Sequence, residues 1–538
     1  MEFSKLSELY EQLEKQRSKN EMIKLMSNFL KTLQPQEVKP VCLMLLGPTL
    51  GVGWATIRDA ILQVTGLRKN DLLEALNSTG DLGEASKTLF SKRRVRTVPL
   101  VESPLTISQV WKILEKIGST PSLEHKRRLL EGLLNRCSPV EAKFLVKVLT
   151  GEMRAGFGEG LLRHALAKTY SLPEKELETA CGFGTLPEIG DALSKGENIR
   201  SFVPRIFHPI SPMLAESAKD VEEALREHGG ETSFELKLDG ARVQVHVSGG
   251  KIAVFSRGRE NVTQCMPEIV EQVQGLRIKE AVLEGEIIAL KNGSPLPFQF
   301  LMRRFRRIKT EEAAEIPLKL YLFDLLFLNG KWMLEEPYCS RREKLIEIAN
   351  ENVVEGKIIS NAEDGRKFLE RALSEGHEGV VAKMLQSRYL PGKREKSWLK
   401  IKPAFTLDLV IVAAEWGHGR RAKYLSDYYL AALDDRTGKF EVVGKTFKGL
   451  TNEELEEITK RLKQLQIGSK GRVVTVKPEI VVEVSFNQVQ RSPKYPCGMA
   501  LRFARIERIR DDKRPEEVDT LERLRNLLPS TLREVKSA

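Results

Sequence analysis

At about residue 206 the hydrophobic pattern of the chain changes period, and that change restricts it to a multidomain fold. Before it, stretches such as EMIKLMSNFLKTL and RRLLEGLL carry apolar residues at helical spacing, so residues 1–205 read almost entirely as helices. After a proline-containing loop, IFHPISPMLAES, alternation takes over in FELKL, ARVQVHV, KIAVFSR, AVLEGEIIAL, LYLFDLLFL, GVVAKM and SWLKIK. Helical segments such as SRREKLIEIAN and DGRKFLERAL separate these strands, which predicts a mixed α/β domain over 206–403. LDLVIVAAEW, SDYYLAAL, KFEVVGK and EIVVEVSF, with the single helix NEELEEITKRLKQL, predict an OB-type β-barrel over 404–538, a frequent nucleic-acid module. A chain of 538 residues is long enough for each part to bury its own core.

The helical part contains a duplication. LEK at 13–15 recurs at 114–116, LQPQE at 33–37 is answered by CSPVE at 137–141, and GVGWATIRDAI at 51–61 by GFGEGLLRHAL at 156–166. Each copy carries Gly-x-Gly just before a helix: Gly51 and Gly53, then Gly156 and Gly158. Such a turn leaves N–H groups free at the positive end of a helix dipole, where phosphate binds; the bland reading is a plain turn. Two equivalent turns in one domain could hold two segments of a duplex by their phosphates without reading sequence.

The net charge of +12 makes a polyanion a fitting partner, although excess Lys and Arg also simply solvates a surface. No run approaches the roughly 18 apolar residues of a membrane span, and the amphipathic N-terminus lacks a signal-peptide core, so the expectation is an intracellular, cytoplasmic protein. Six cysteines lie far apart with no CxxC, which argues for reduced thiols, and the seven histidines show no ligand spacing.

The densest chemistry lies in ELKLDGARVQVH at 235–246, where Glu235, Lys237 and Asp239 occupy every second position and Arg242 follows a glycine. Flanking acids favour a lysine's charged form and hinder it as a nucleophile, whereas burial and nearby cations do the reverse. The bland reading is a hairpin closed by an Asp-Gly turn. Further along come Ser256-Arg257-Gly258, Leu283-Glu284-Gly285-Glu286, Phe323 in YLFDLLFLNG, Glu378-Gly379-Val380-Val381, Trp398-Leu399-Lys400-Ile401-Lys402, and Arg502-Phe503-x-Arg505 through Lys513.

In that order these motifs resemble those of the covalent nucleotidyltransferases, which comprise ATP-dependent DNA ligases, RNA ligases and mRNA capping enzymes. The preceding helical domain with GEMRAGFGEG, and EWGHGRRAKY after it, are similar to archaeal and eukaryotic replicative DNA ligases, so the resemblance spans essentially the whole chain. It implies an all-α DNA-binding domain, an α/β (ATP-grasp-like) adenylation domain and a C-terminal OB-fold barrel. The implied activity is ATP-dependent sealing of nicks in duplex DNA during replication, repair and recombination, by a monomer, with Mg2+ or Mn2+. The matched residues constrain the base more than the leaving group, so ADP, GTP or NAD stay open as donors.

The resemblance also implies roles. Lys237 attacks the α-phosphate of ATP and becomes lysine-AMP. Phe323 stacks on adenine, Glu235 accepts from its exocyclic amine, and Arg257 holds the ribose and phosphate side. Arg242, Arg394, Lys400 and Lys402 supply charge at the α-phosphate. Glu286 takes the ribose hydroxyls or a divalent ion, and Glu378 is the second metal ligand. Arg510 and Lys513 orient pyrophosphate when the barrel swings over the site. On pattern alone Phe323 reads as core and Arg394 as solvated loop; their spacing to Glu286 and Lys400 brings them in. Flexible joints are expected near 206–212 and 403–406.

A sliding clamp is a further partner considered. Gln299, Met302, Phe305 and Arg306 match a clamp-binding peptide only in part, without the second aromatic, so no clamp contact is expected there, while one from the helical domain stays open. Arg303, Arg304, Arg306 and Arg307 read equally as a solvated helix face or a DNA contact. The rivals are an RNA ligase or capping enzyme, which the duplicated helical domain opposes, and a catalytically silent DNA-binding scaffold.

Overall fold

The computed structural model describes residues 1–48, 50–93, 103–153, 156–291, 294–296, 301, 317–402, 405–417, 421 and 423–528. The basic run 303–307 and the partial clamp peptide 299–306 fall outside these. The chain packs as two compact units. One holds Met1–Phe202 with Ala413–Asp427 and Leu455–Lys477; the other holds Val203–Val412 with Tyr428–Glu454 and Pro478–Ala538. No helix among the described residues is long and apolar enough to cross a membrane.

In the first unit, the described residues of 1–202 form twelve α-helices: α1 (Phe3–Lys15), α2 (Lys19–Leu30), α3 (Pro35–Leu46), α4 (Trp54–Thr65), α5 (Lys69–Thr79), α6 (Leu82–Ser91), α7 (Ile107–Ser119), α8 (Leu123–Asn135), α9 (Pro139–Thr150), α10 (Glu159–Thr169), α11 (Glu174–Ala180) and α12 (Leu186–Ser194). The last six repeat the first six: Phe3 and Ile107, Pro35 and Pro139, and Leu82 and Leu186 are each 104 positions apart. LQPQE and CSPVE are matching helix starts. Each places proline at the first turn, where its missing N–H costs nothing, and a glutamate that reaches back to the chain, Glu37 to Gln34 N (3.0 Å) and Glu141 to Ser138 N (2.8 Å).

The LEK pairing is off by three residues, because Leu13 of α1 is equivalent to Ile117 of α7 and not to Leu114; amphipathic helices repeat their apolar residues about every turn. The two copies interlace. α4 packs on α8 and α10 on α2, while α6 packs on α9 and α12 on α3. At the equivalent helix ends Gly47 and Gly151 meet, and a Cβ on Gly47 would lie 3.0 Å from the Gly151 Cα.

Among the described residues of the second unit, two sheets frame the stretch 235–246. One has the order β1 (Leu214–Ser217), β11 (Arg394–Ile401), β10 (Gly379–Lys383), β2 (Thr232–Lys237), β9 (Gly356–Ile359), with β1 and β11 parallel. The other runs β4 (Lys251–Ser256), β3 (Ala241–Ser248), β5 (Ala281–Lys291), β7 (Leu318–Leu328), β8 (Lys331–Trp332), with β6 (Ser294–Pro295) beside β5. Leu238, Ile288 and Val354 fill an apolar layer with Leu236, Tyr321 and Phe323 packed on it. From the C-terminal region, Phe405–Val410 pairs antiparallel with the strand Val481–Phe486, which pairs with the strand Arg505–Ile509.

The segment near 206–212, expected as a joint, is fastened within this unit, as is Met213 just after it. Phe207 N donates to His246 Nδ1 (2.9 Å), Ile210 N to Gln244 Oε1 (2.8 Å) and Met213 N to the Tyr389 hydroxyl (2.9 Å). His246 and Gln244 point from β3, so the loop is tied to a sheet and the boundary between the units falls earlier, at 202–203.

Candidate active site

The two sheets meet at Leu238-Asp239-Gly240, where the chain leaves β2 in one and enters β3 in the other. Asp-Gly here closes no hairpin; it is a crossing between sheets. Gly240 is required by the closeness of the approach, since a Cβ would sit 2.3 Å from the Ile287 carbonyl oxygen and 2.8 Å from Glu286 Cγ.

Beside the crossing opens a cavity of about 300 Å3. It is lined by Glu235, Lys237, Arg242, Arg257, Glu286, Phe323, Arg394, Lys400 and Lys402, all anticipated from sequence, and by Lys383, Trp398 and apolar residues including Leu236, Val354 and Val381. Strand register explains the gathering. Lys237 lies opposite Gly379, Val381 opposite both Glu235 and Lys400, and Arg242 opposite Glu286. Seven cations and two acids on one wall favour a polyanion.

Lys237 Nζ is 2.6 Å from Glu378 Oε2, and Lys402 pairs with the other oxygen of the same carboxylate. The acid that holds the lysine therefore comes from β10's approach and is neither of its sequence neighbours. Burial opposes ionisation of Glu378, but Lys237 and Lys402 outweigh it and hold the carboxyl below its ordinary value. Asp239 faces Arg502, Nη1 lying 3.2 Å from both carboxylate oxygens. Burial pushes Glu286 up to about 7, with Lys237 and Arg242 opposing and Asp239 and Glu378 reinforcing. Burial together with Arg394, Lys402 and Lys237 lowers Lys400, and burial with Lys237 lowers Lys402 against Glu378.

Arg242 donates to Glu284 (2.5 Å) and to the Met213 carbonyl (2.6 Å), and its guanidinium lies 5.2 Å from the Phe323 ring centroid. Phe323 and Trp398 meet edge to face at 6.3 Å, giving the cavity an aromatic wall. Glu235 is 2 % exposed and accepts from Tyr338, from Arg342 (2.5 Å) and from Lys383 (2.7 Å). Arg394 donates to the Ala215 carbonyl (2.7 Å).

The remaining candidates lie elsewhere. Arg510 and Lys513 do not line the cavity; both pair with Asp408, at 2.9 and 2.6 Å. Gly53 and Gly158 are the N-caps of α4 and α10, while Gly51 and Gly156 have φ of 60° and 68°. Lys383, Tyr338 and Arg342 received no role from sequence. A lone lysine ending the apolar strand GVVAK is the one signal that could have exposed the first.

Among the described residues, no three His, Cys, Asp or Glu side chains gather closely enough to hold a metal ion. Glu286, which lines the cavity, and Glu378, which holds Lys237, offer oxygen ligands, the donor type of a hard cation that completes its shell with phosphate oxygens and water.

A lysine set among cations beside an aromatic wall, at a crossing between two sheets, makes a cavity suited to an anion that carries a flat ring. Three family models match: DNA ligase N terminus over 2–167, ATP dependent DNA ligase domain over 212–402, and ATP dependent DNA ligase C terminal region over 421–513. "DNA ligase 1" of Korarchaeum cryptofilum is 44% identical over 549 residues, covering 99% of each chain. "DNA ligase" of Thermococcus fumicolans is 39% identical, with 98% of each covered. The solved structure "Pmar-Lig_PreS3", 19% identical, superposes with a TM-score of 0.58 over 94% of this chain and 99% of its own, a likeness of fold. The chain belongs to the ATP-dependent DNA ligases.

Proposed function

We propose that this ligase seals nicks in duplex DNA through a lysine-AMP at Lys237. The observation that carries this is the position of Lys237: in the cation-lined cavity, paired with Glu378, beside the aromatic wall of Phe323 and Trp398. Lys237 Nζ, once deprotonated, attacks the α-phosphorus of ATP; the bond to the β-phosphate oxygen breaks and pyrophosphate leaves. The nick's 5′-phosphate oxygen then takes AMP from the lysine, and the 3′-hydroxyl displaces AMP as the phosphodiester forms.

Glu378 orients the ammonium until the nucleotide's phosphates arrive and compete for Lys237 and Lys402. Phe323 offers its face to adenine and Glu235 its carboxylate to the 6-amino edge. Arg242, Arg257, Arg394, Lys400 and Lys402 meet charge developing at the α-phosphate. Glu286 and Glu378 would hold Mg2+ or Mn2+, which supplies Lewis-acid and charge-screening chemistry when bound. Arg510 and Lys513 meet pyrophosphate only after Asp408 releases them. The Gly51–Gly53 and Gly156–Gly158 turns take backbone phosphates of the duplex. Three domains, 1–205, 206–403 and 404–538, the last an OB-fold, then act as a monomer around DNA.

Incubation with α-labelled ATP and magnesium tests this. Label on the wild type and none on Lys237→Ala is expected; no label, or label that persists in the variant, overturns it.

A further inference from the structure

Lys383 is almost completely buried, lies at the end of β10, and takes no part in the phosphate chemistry above. Its Nζ donates to Glu235 Oε2 (2.7 Å) and to the Phe323 carbonyl (2.8 Å), and lies 4.9 Å from the Phe323 ring centroid and 4.4 Å from that of Trp398. One ammonium thus ties the carboxylate at the base edge to the backbone that carries the stacking ring.

An ionised carboxylate has about four acceptor sites. Tyr338 and Arg342 occupy Oε1 of Glu235, and Lys383 occupies Oε2. The clamp is itself braced, since Arg342 also donates to the Val354 carbonyl (2.9 Å) and Tyr338 is fully buried. Three fixed donors prevent the carboxylate from rotating away. They leave one acceptor site, on the oxygen held by Lys383.

We propose that Lys383, with Arg342, is a positioning residue for base selection: it fixes Glu235 as an acceptor-only reader of a 6-aminopurine, in register with the ring of Phe323. The proposal rests on the reading of Glu235 as the group that meets adenine's amine. A 6-amino group donates to the open oxygen, whereas a 6-oxo group would place one acceptor against another and leave both unpaired. A loosened carboxylate could turn aside and admit the 6-oxo base. Selectivity is therefore built by residues that never touch the nucleotide.

The test is lysine labelling by the full-length protein with ATP and with ITP, its 6-oxo counterpart, measured as kcat and KM. Lys383→Met is expected to lower the ATP preference about tenfold to a hundredfold, through a higher KM for ATP and a lower KM for ITP. Lys383→Arg is expected to retain part of the preference. Should Lys383→Met fail to fold, Arg342→Met carries the same expectation. Glu235→Gln, whose amide can donate to a 6-oxo group, is expected to shift preference toward ITP. If Glu235→Gln leaves the preference intact, the base reading fails and the proposal with it. If Glu235→Gln shifts it while the folded Lys383 and Arg342 variants stay within twofold of wild type, or lose both nucleotides equally, the base reading stands and the positioning role is overturned.

Discussion

Lowering the pH should loosen the loop that follows the helical region, and His246 sets the size of the effect. The imidazole is fully buried on β3, accepts from Phe207 N and shares a hydrogen bond with Gln244 Oε1 at 2.8 Å. Burial, with His208 adding to it, pushes His246 from 6.5 down to about 3. The folded value lies below the unfolded one, so the unfolded chain takes a proton that the folded chain refuses. This contribution is therefore complete above about pH 6.5 and is lost as pH falls toward 3. From pH 7.5 to 5 the loss from this one group is about 2 kcal/mol. Urea unfolding of wild type and His246→Gln, followed by circular dichroism at both pH values, isolates it as a double difference. Wild type should lose about 2 kcal/mol more than the variant across the interval. Equal losses in the two proteins would refute the claim that a neutral imidazole holds this loop.

Gly47 and Gly151 have φ of 74° and 70°, but only at Gly47 would a Cβ meet backbone at 3.0 Å. Gly151→Ala should cost about 1–2 kcal/mol and Gly47→Ala clearly more, read by thermal unfolding. Arg341 and Asp324 form a pair without solvent exposure, at 2.7 Å, so Arg341→Met should destabilise by about 3–5 kcal/mol in the same assay. Phe323→Ala should raise KM for ATP in lysine labelling more than it lowers the labelling plateau. DNA affinity should fall steeply with salt, since the proposed contacts are to phosphate; a shallow slope in a fluorescence titration would count against the glycine turns as the grip.

Features set by neighbouring residues were legible in the chain. Helical spacing up to 205 and alternation after it are local signals, and the repeated Pro and Glu at the α3 and α9 starts mark a helix cap whatever surrounds it. Most of the nine cavity residues were found because they lie in short motifs, Phe323 and Arg394 by their spacing to such motifs, and register across β2, β10 and β11 then brings Glu235, Lys237 and Lys400 together. Pairings at long range were not legible. Nothing near Glu235 announces that Tyr338, Arg342 and Lys383 will occupy it, and Lys237 finds its acid 141 positions away, at Glu378. The Asp-Gly pair of Asp239-Gly240 suits a tight turn or a passage between sheets equally well in sequence. Long-range pairing decides between them, since β2 joins β9 and β10 while β3 joins β4 and β5. The proposed leaving-group pair failed to join the cavity for a similar reason, since Asp408, remote in sequence, holds both cations.

The interlaced duplication governs how this protein can be made. α2 must wait for α10 and α3 for α12, so the first copy leaves the ribosome with apolar faces whose partners have yet to be synthesised. Helical domains usually close through local contacts and fold quickly; here α2 and α10, and α3 and α12, must meet across a long stretch of chain, which slows closure. Either half made alone would expose the surface reserved for the other, and two such halves could satisfy it only by exchange, as a domain-swapped pair.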